Sequence, residues 1–440
     1  MKWILFAPFL LIPMHLAAQK TGGAEREIKV ITLRDALSMA ENANLTLKKS
    51  EIDLAAARRA QNYLYAQFFP SISLGASASY GSFGIAKPAV KEPSPSWGIQ
   101  AGLSLQLSAA IPASMSLVRL AYQSGLLNYE NSKKQIEISV SKSFYRLIAG
   151  KQNILILRER HSQAEREAAL ALVSYNNGLM NELNYSRSQL SVQQALYELR
   201  RAESAYRQDV DTFIVSIGQD DAIPAAGIEI KLEGEIAIEQ YDLDAEELIA
   251  RFLPSRPDIA AARQAVEKAQ LNLAVRRMQN KAPSLSLSSR YSGKPESGYS
   301  DSLDFSLSVS VPLDSWIPGT AANQQEWSAE ADLQKAKLDL SNTESEARRS
   351  IRSFCETLTT SWETITMARK SAQIAGRTYE MSVRAFRDGA AASRTVEDDR
   401  QSLASARQNL LVEELNYKLA LLDLAQALNT NLFLPSGNAD

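Results

Sequence analysis

Few residues in this sequence can make or break covalent bonds. A nucleophile needs a neighbouring base, and a metal needs several His, Cys, Asp or Glu side chains at ligand spacing. The chain holds only 2 histidines, His15 and His161, and 1 cysteine, Cys355. His15 lies in an N-terminal apolar run that reads as a removed leader. A Ser-His-Asp triad or a histidine metal site would then rest on His161 alone. That residue sits in the polar run Arg-Glu-Arg-His-Ser and reads as a solvated helix position. A single cysteine excludes a disulfide framework and a cysteine-rich metal site, and Cys355 reads as a buried helix position. No Gly-rich phosphate loop and no nucleophile motif occurs. No catalytic residue, metal or cofactor is therefore expected, and an enzyme is disfavoured. Lys and Arg number 48 against 50 Asp and Glu, a formal charge of −2, so no nucleic-acid partner is expected.

Serine is the abundant reactive type, but its spacing is that of a strand face. In Ser71–Tyr80, Ile72, Leu74, Ala76, Ala78 and Tyr80 alternate with Ser71, Ser73, Gly75, Ser77 and Ser79. In Ile99–Ala109, Ile99, Ala101, Leu103, Leu105 and Leu107 alternate with Gln100, Gly102, Ser104, Gln106 and Ser108. Farther on, Leu285, Leu287 and Tyr291 oppose Ser284, Ser286, Ser288 and Arg290. Leu303, Phe305, Leu307, Val309 and Val311 oppose Asp304, Ser306, Ser308 and Ser310. A period of two puts successive side chains on opposite faces. Each run has about the 9–11 residues that cross a bilayer when tilted. The small, hydroxyl-rich faces suit a wet lumen. Tyr80, Trp97, Tyr291 and Tyr299 stand at the ends of the connecting loops, Gly81–Ser96 and Ser292–Ser302, where an aromatic girdle would lie.

The N-terminus agrees with export. Lys2 precedes an apolar run from Trp3 to Met14, then Leu16-Ala17-Ala18-Gln19. Two prolines and a length well short of the roughly 20 apolar residues of a spanning helix mark a signal peptide, residues 1–18. No other stretch is long and apolar enough for a membrane helix. An exported chain of this kind is soluble or spans an outer membrane as strands.

The strands recur because the chain is a repeat. Leu45–Tyr80 and Asp258–Tyr291 each run from an Ala-rich helical stretch through a proline, Pro70 or Pro283, into Ser-x-Ser-Leu. Those prolines stand at an offset of 213 in the numbering. At an offset of 211, Tyr185, Val192, Leu199, Tyr206 and Phe213 match Val396, Leu403, Leu410, Tyr417 and Leu424. Both sets are spaced by seven, the mark of a coiled-coil seam. The same offset pairs Gly178 with Gly389. The expected divisions are a first repeat at 19–217 with a β-hairpin at 71–109 and a mixed junction at 218–254. A second repeat follows at 255–430 with a β-hairpin at 284–313, then a tail at 431–440.

Proline-free helical stretches run from Ala113 to Asn177 and from Gly319 to Asp388. At 1.5 Å per residue a helix of this length reaches on the order of 100 Å. Breaks are expected near Gly150 and in the Arg349–Thr360 region. Returning arms run from each glycine to near Gly218 and Thr430. In the junction, Gly227–Ile236 reads as a strand and Asp242–Phe252 as an acidic helix start.

Four membrane strands cannot close. A barrel needs about eight or more, and an open edge in lipid leaves backbone groups unpaired at several kcal/mol each. The chain must oligomerise. Two copies would leave little room inside. A barrel of about twelve strands from three copies leaves a lumen, which the helices would extend as a coiled-coil tube.

These residues also resemble those of the TolC-like outer-membrane efflux proteins over nearly the whole mature length. Ile31–Leu47 (ITLRDALSMAENANLTL) looks like that family's opening helix, and Ser255–Gln270 (SRPDIAAARQAVEKAQ) like its counterpart. Phe305–Trp316 (FSLSVSVPLDSW) looks like the exit from the last strand. The resemblance implies a mainly α fold with membrane β: a homotrimer with one 12-stranded barrel continuous with an α-helical barrel. It implies a subunit in outer-membrane lipid, with helices in the periplasm. It implies an inner-membrane transporter and a periplasmic adaptor as partners, in efflux or in one-step (type I) protein secretion. Gly178, Leu179, Gly389 and Ala390 would be hairpin tips where the adaptor docks. The family's acidic gate would place Asp398, flanked by Glu397 and Asp399, at the periplasmic aperture. Asn184 and Thr395 stand where further gate positions are expected. Arg394 beside Thr395 could pair with an acid of a neighbouring chain. A periplasmic coiled-coil structural protein would share the heptads but has no use for four alternating strands.

Overall fold

A computed structural model describes residues 29–80, 95–219, 230–232, 234–294, 300–388 and 390–430. The expected signal peptide at 1–18, Tyr299, Gly389 and the expected tail at 431–440 lie outside the described residues, as do most of the two loops between paired strands.

Strand β1 (Lys29–Ile31) leads into helix α1 (Leu33–Ala43). Thr32 caps α1 in a reciprocal box with Asp35, which satisfies two end groups of the helix at once. The sequence expectation of one opening helix through Leu47 is corrected here. Asn44 takes an extended conformation and its side chain accepts from the Thr46 and Leu47 amides. It thereby ends α1 and starts α2 (Leu45–Asn62). The strands β2 (Ser71–Tyr80) and β3 (Pro95–Ser108) follow, then the long arm α3 (Ile111–Asn176) and its return α4 (Glu182–Ser216).

The second half repeats this order: β4 (Ile230–Leu232), α5 (Ala245–Phe252), α6 (Pro257–Lys281), β5 (Ser284–Lys294), β6 (Ser300–Ser310), α7 (Ala321–Arg387) and α8 (Ser393–Leu428). β1 and β4 pair in parallel, so the junction and the chain start form one small ribbon. Within the expected strand Gly227–Ile236, the described strand is this short β4. Strand β3 begins earlier than expected, at Pro95, and β5 continues to Lys294.

The expected helix breaks are absent, since α3 and α7 are continuous. Gly150 gives close approach instead: a Cβ there would lie 3.1 Å from the Tyr206 ring. In α7, Thr357, Thr359, Thr360, Thr364 and Thr366 each donate to the carbonyl four residues earlier. Such bonds bend a helix and leave its ladder whole. His161 is half-buried, 3.7 Å from Glu165, and so is not the solvated position its neighbours suggest.

The two cores superpose on the repeat. Val140, Phe144, Leu147, Phe213 and Ile217 are buried in one cluster. Their counterparts at the same offset, Ile351, Cys355, Leu358, Leu424 and Leu428, are buried in the other. Cys355 is buried as expected, at the position that Phe144 fills in the first half. Ile138, Tyr145 and Leu422 join the halves.

Candidate functional site: a polar sheet face and the hairpin ends

The four long strands form one antiparallel sheet in the order β2-β3-β5-β6. The two hairpins meet edge to edge through β3 and β5, although α3, α4, the junction and α6 all intervene in sequence. On one face, Ile72, Leu74, Leu303, Phe305, Leu307 and Val309 are exposed, between 59% and 82%. The other face is hydroxyl-rich. Ser71 pairs with Ser104 at 2.7 Å, Ser286 with Ser308 at 2.6 Å and Ser288 with Ser306 at 2.7 Å. Tyr63, Tyr65, Phe69 and Trp316, all exposed, mark the helical end of the sheet. Sequence reading placed a girdle only at the loop ends.

The helical end of the sheet is fixed by polar groups. Arg277 and Lys281 of α6 both reach Glu326 of α7, at 3.0 and 3.1 Å. Burial pushes the Glu326 carboxyl up, but the two cations outweigh it and hold it below the usual range. Ser315 donates to the Asn280 carbonyl, and Asn280 donates to Ala322.

At the far end, Gly178 turns α3 into α4 with φ +72, a left-handed backbone that favours glycine. Nothing lies within 4 Å of a Cβ built there, and Leu179 beside it is 81% exposed. Tyr175 and Tyr185 stack across the two arms at 5.3 Å. Asn184 is exposed on the first turn of α4, its amide capped by Asn181. At the second tip, Ala390 is exposed and its amide donates to the Ala385 carbonyl. Thr395 is exposed one turn on.

The acidic run does not act as one cluster. A helix turns about 100° per residue, so the three acids point apart. Asp398 is exposed and lies 3.8 Å from Arg394 of its own helix, the pairing that the chain itself offers Arg394. Asp399 borders a groove with Met367, Lys370 and Ile374 of α7. Glu397 turns to the first hairpin, where Ser191 donates to it at 3.0 Å.

There it meets Arg400, which sequence reading did not single out. Arg400 is 5% exposed, 3.2 Å from Glu167 of α3 and 3.6 Å from Glu397, and it donates to the Arg160 carbonyl. Nearby, Arg407 reaches Glu159 and Gln408 donates to Asn153. This polar seam joins α8 to the first hairpin. No signal marked it, because an arginine between heptad positions looks like any surface charge.

Burial pushes the Glu167 carboxyl above its usual range; Arg400 opposes this and Glu397 adds to it. A carboxyl raised in the folded state contributes most below the ordinary carboxylate value, and the contribution is lost as pH rises through the raised value. Glu167→Gln is therefore expected to raise the melting temperature at neutral pH and to leave it unchanged in acid. Thermal unfolding across pH checks this, and an equal gain at every pH would contradict it.

No described helix is long and apolar enough to cross a membrane. Among the described residues no group of His, Cys, Asp or Glu is arranged to hold a metal. A sheet with one apolar and one polar face, set on long helical hairpins, defines the class: an outer-membrane channel protein. The outer membrane efflux protein family model matches residues 36–219 and 248–430, and the chain belongs to that family. Family membership places it in the outer membrane, among channels and not enzymes. No curated protein matches the sequence. Among solved structures, a Pseudomonas aeruginosa membrane protein is 19% identical, with TM-score 0.72 over 96% of this chain and 99% of its own. The Campylobacter jejuni CmeC outer membrane channel is 16% identical, with TM-score 0.73 over 96% and 94%. The Vibrio cholerae outer membrane protein VceC is 17% identical, with TM-score 0.69 over 90% and 96%.

Proposed function

We propose that this chain is one subunit of a homotrimeric channel-tunnel that gives passive exit from periplasm to exterior. Its cargo is delivered by an inner-membrane transporter through a periplasmic adaptor. The observation that carries this reading is the four-stranded sheet with β2 and β6 at its edges. Strands run alternately along it, so β6 of one copy can pair antiparallel with β2 of the next. Closure in this way leaves no edge in lipid, where unpaired backbone groups are costly. The exposed apolar face then meets lipid and the serine face meets water. A periplasmic coiled-coil protein would leave that apolar face uncovered.

The far end of the tube is its aperture. The Gly178-Leu179 and Gly389-Ala390 tips offer small and apolar contacts to an adaptor's helical hairpin. Asn184, Arg394, Thr395, Glu397 and Asp398 flank the opening, with Asp398 toward the lumen. The test is electrical and biochemical. The protein should run as a heat-modifiable trimer from outer-membrane extracts and conduct in planar bilayers. Asp398→Ala should lower the cation preference, because the exposed acids favour cations. An unchanged preference removes Asp398 from the aperture, and a protein that stays soluble without detergent rejects the channel.

A further inference from the structure

One charged rung crosses the serine face of the sheet. The strand register aligns Ser73, Gly102, Arg290 and Asp304 across β2, β3, β5 and β6. The rung on one side is Ser71, Ser104, Ser288 and Ser306. The rung on the other is Gly75, Gln100, Ser292 and Ser302. Among the described side chains of this face, Arg290 and Asp304 are the charged ones. Lys294 ends β5 opposite Ser300, two rungs farther out at the loop.

Arg290 and Asp304 face each other on neighbouring strands, a separation at which long side chains touch. Both are exposed, and among the described residues neither forms an ion pair. The level is also kept open. A trough of about 480 Å³ is lined by Ser73, Gly75, Gln100, Gly102, Arg290 and Asp304, among others. A Cβ at Gly102 would lie 2.9 Å from the Ser73 hydroxyl, and one at Gly75 3.1 Å from the Gln100 amide nitrogen. Serine fills both positions of the β5–β6 pair at the neighbouring rungs, so sheet geometry makes no demand for charge at this one.

We propose that Arg290 and Asp304 form a charge-balanced rung of the barrel, each sign cancelling the selection the other would impose. This rests on the reading that the serine face lines the lumen. Each subunit adds one cation and one anion at the same level, so the ring sums to zero for any number of subunits. Alternating signs let small ions of both charges pass, and neither sign is enriched. Charge selection by the whole tunnel is then left to the helical aperture.

Reversal potentials across planar bilayers in a salt gradient test this. Arg290→Gln leaves a ring of aspartates and should raise the cation-to-anion permeability ratio severalfold. Asp304→Asn leaves a ring of arginines and should lower it severalfold. The charge swap, Arg290→Asp with Asp304→Arg, should keep the wild-type ratio although both residues have changed. Conducting single variants with unchanged ratios, or with shifts of the same sign, would overturn the proposal. A wild-type protein that forms no channel would instead reject the functional reading on which it rests.

Discussion

Gly218→Ala is expected to destabilise the protein by roughly 3 kcal/mol, the sum of left-handed strain and overpacking. Gly218 ends the return arm α4 with φ +75. Its amide and that of Gln219 donate to the Val215 and Ile214 carbonyls, which closes the helix end. A Cβ there would lie 2.5 Å from the Ala43 carbonyl carbon and Cβ. Neither atom can step aside, because Asn44 next to it is tied to the Ser216 carbonyl at 2.8 Å. The junction of α1, α2 and α4 would have to open. The second repeat supplies a control at the equivalent position. Asn429 ends α8 with φ 51 and the same pattern of amides, from Asn429 to Gln426 and from Thr430 to Ala425. Asn429→Gly should change stability by no more than about 1 kcal/mol, since glycine accepts that backbone at least as well. Thermal melts of the detergent-solubilised protein compare the two. Equal melting temperatures for wild type and Gly218→Ala would refute the close approach.

The second large effect is expected at Arg400. Arg400→Ala should cost about 2 kcal/mol and loosen α8 from the first hairpin. Removing one partner of a fully buried pair costs more, but Glu167 and Glu397 keep 34% and 40% of their side-chain exposure, so water screens part of the loss. The arginine is itself 5% exposed, and among the described residues its Nε has no hydrogen-bond partner. Its removal therefore relieves one unsatisfied group while stranding two carboxylates on facing elements. Adding Glu167→Gln should recover part of the loss, because the remaining carboxylate no longer faces a like charge. A melting temperature equal to wild type, with no rescue by the second change, would show that the seam contributes nothing.

Much of this molecule was legible from local pattern. The strands announced themselves by period two, since one face had to be apolar and the other hydroxyl-rich. The return arms announced their seam by period seven. Leu199 and Phe213 are buried on that seam, as are Leu403, Tyr417 and Leu424. The return arms were expected to end near Gly218 and Thr430, and only geometry shows that Gly218 and Asn429 both take the left-handed backbone there. The misjudged places were those where a local rule met a tertiary demand. Gly150 and the Arg349–Thr360 region suggest helix breaks, but both helices run on: Gly150 allows close approach of the Tyr206 ring, and Thr357 and Thr360 bond back to the preceding turn without interrupting the ladder. His161 looked solvated because its sequence neighbours are charged, yet a helix presents those neighbours to other directions.

The rarity of residues that do chemistry was decided by the sequence itself. So were the repeated pattern of the two halves and the alternating faces of the strands. Each is a matter of composition, spacing or count along the chain. Only the tertiary structure decided that β3 joins β5, that Arg290 stands opposite Asp304, and that Arg400 lies between Glu167 and Glu397. Those neighbours come from separate parts of the chain, in two cases from different repeats. A period tells which face a side chain shares but not which distant face will meet it. That choice is made by register and packing over the whole fold, where a shift of one residue would turn every strand side chain to the opposite face.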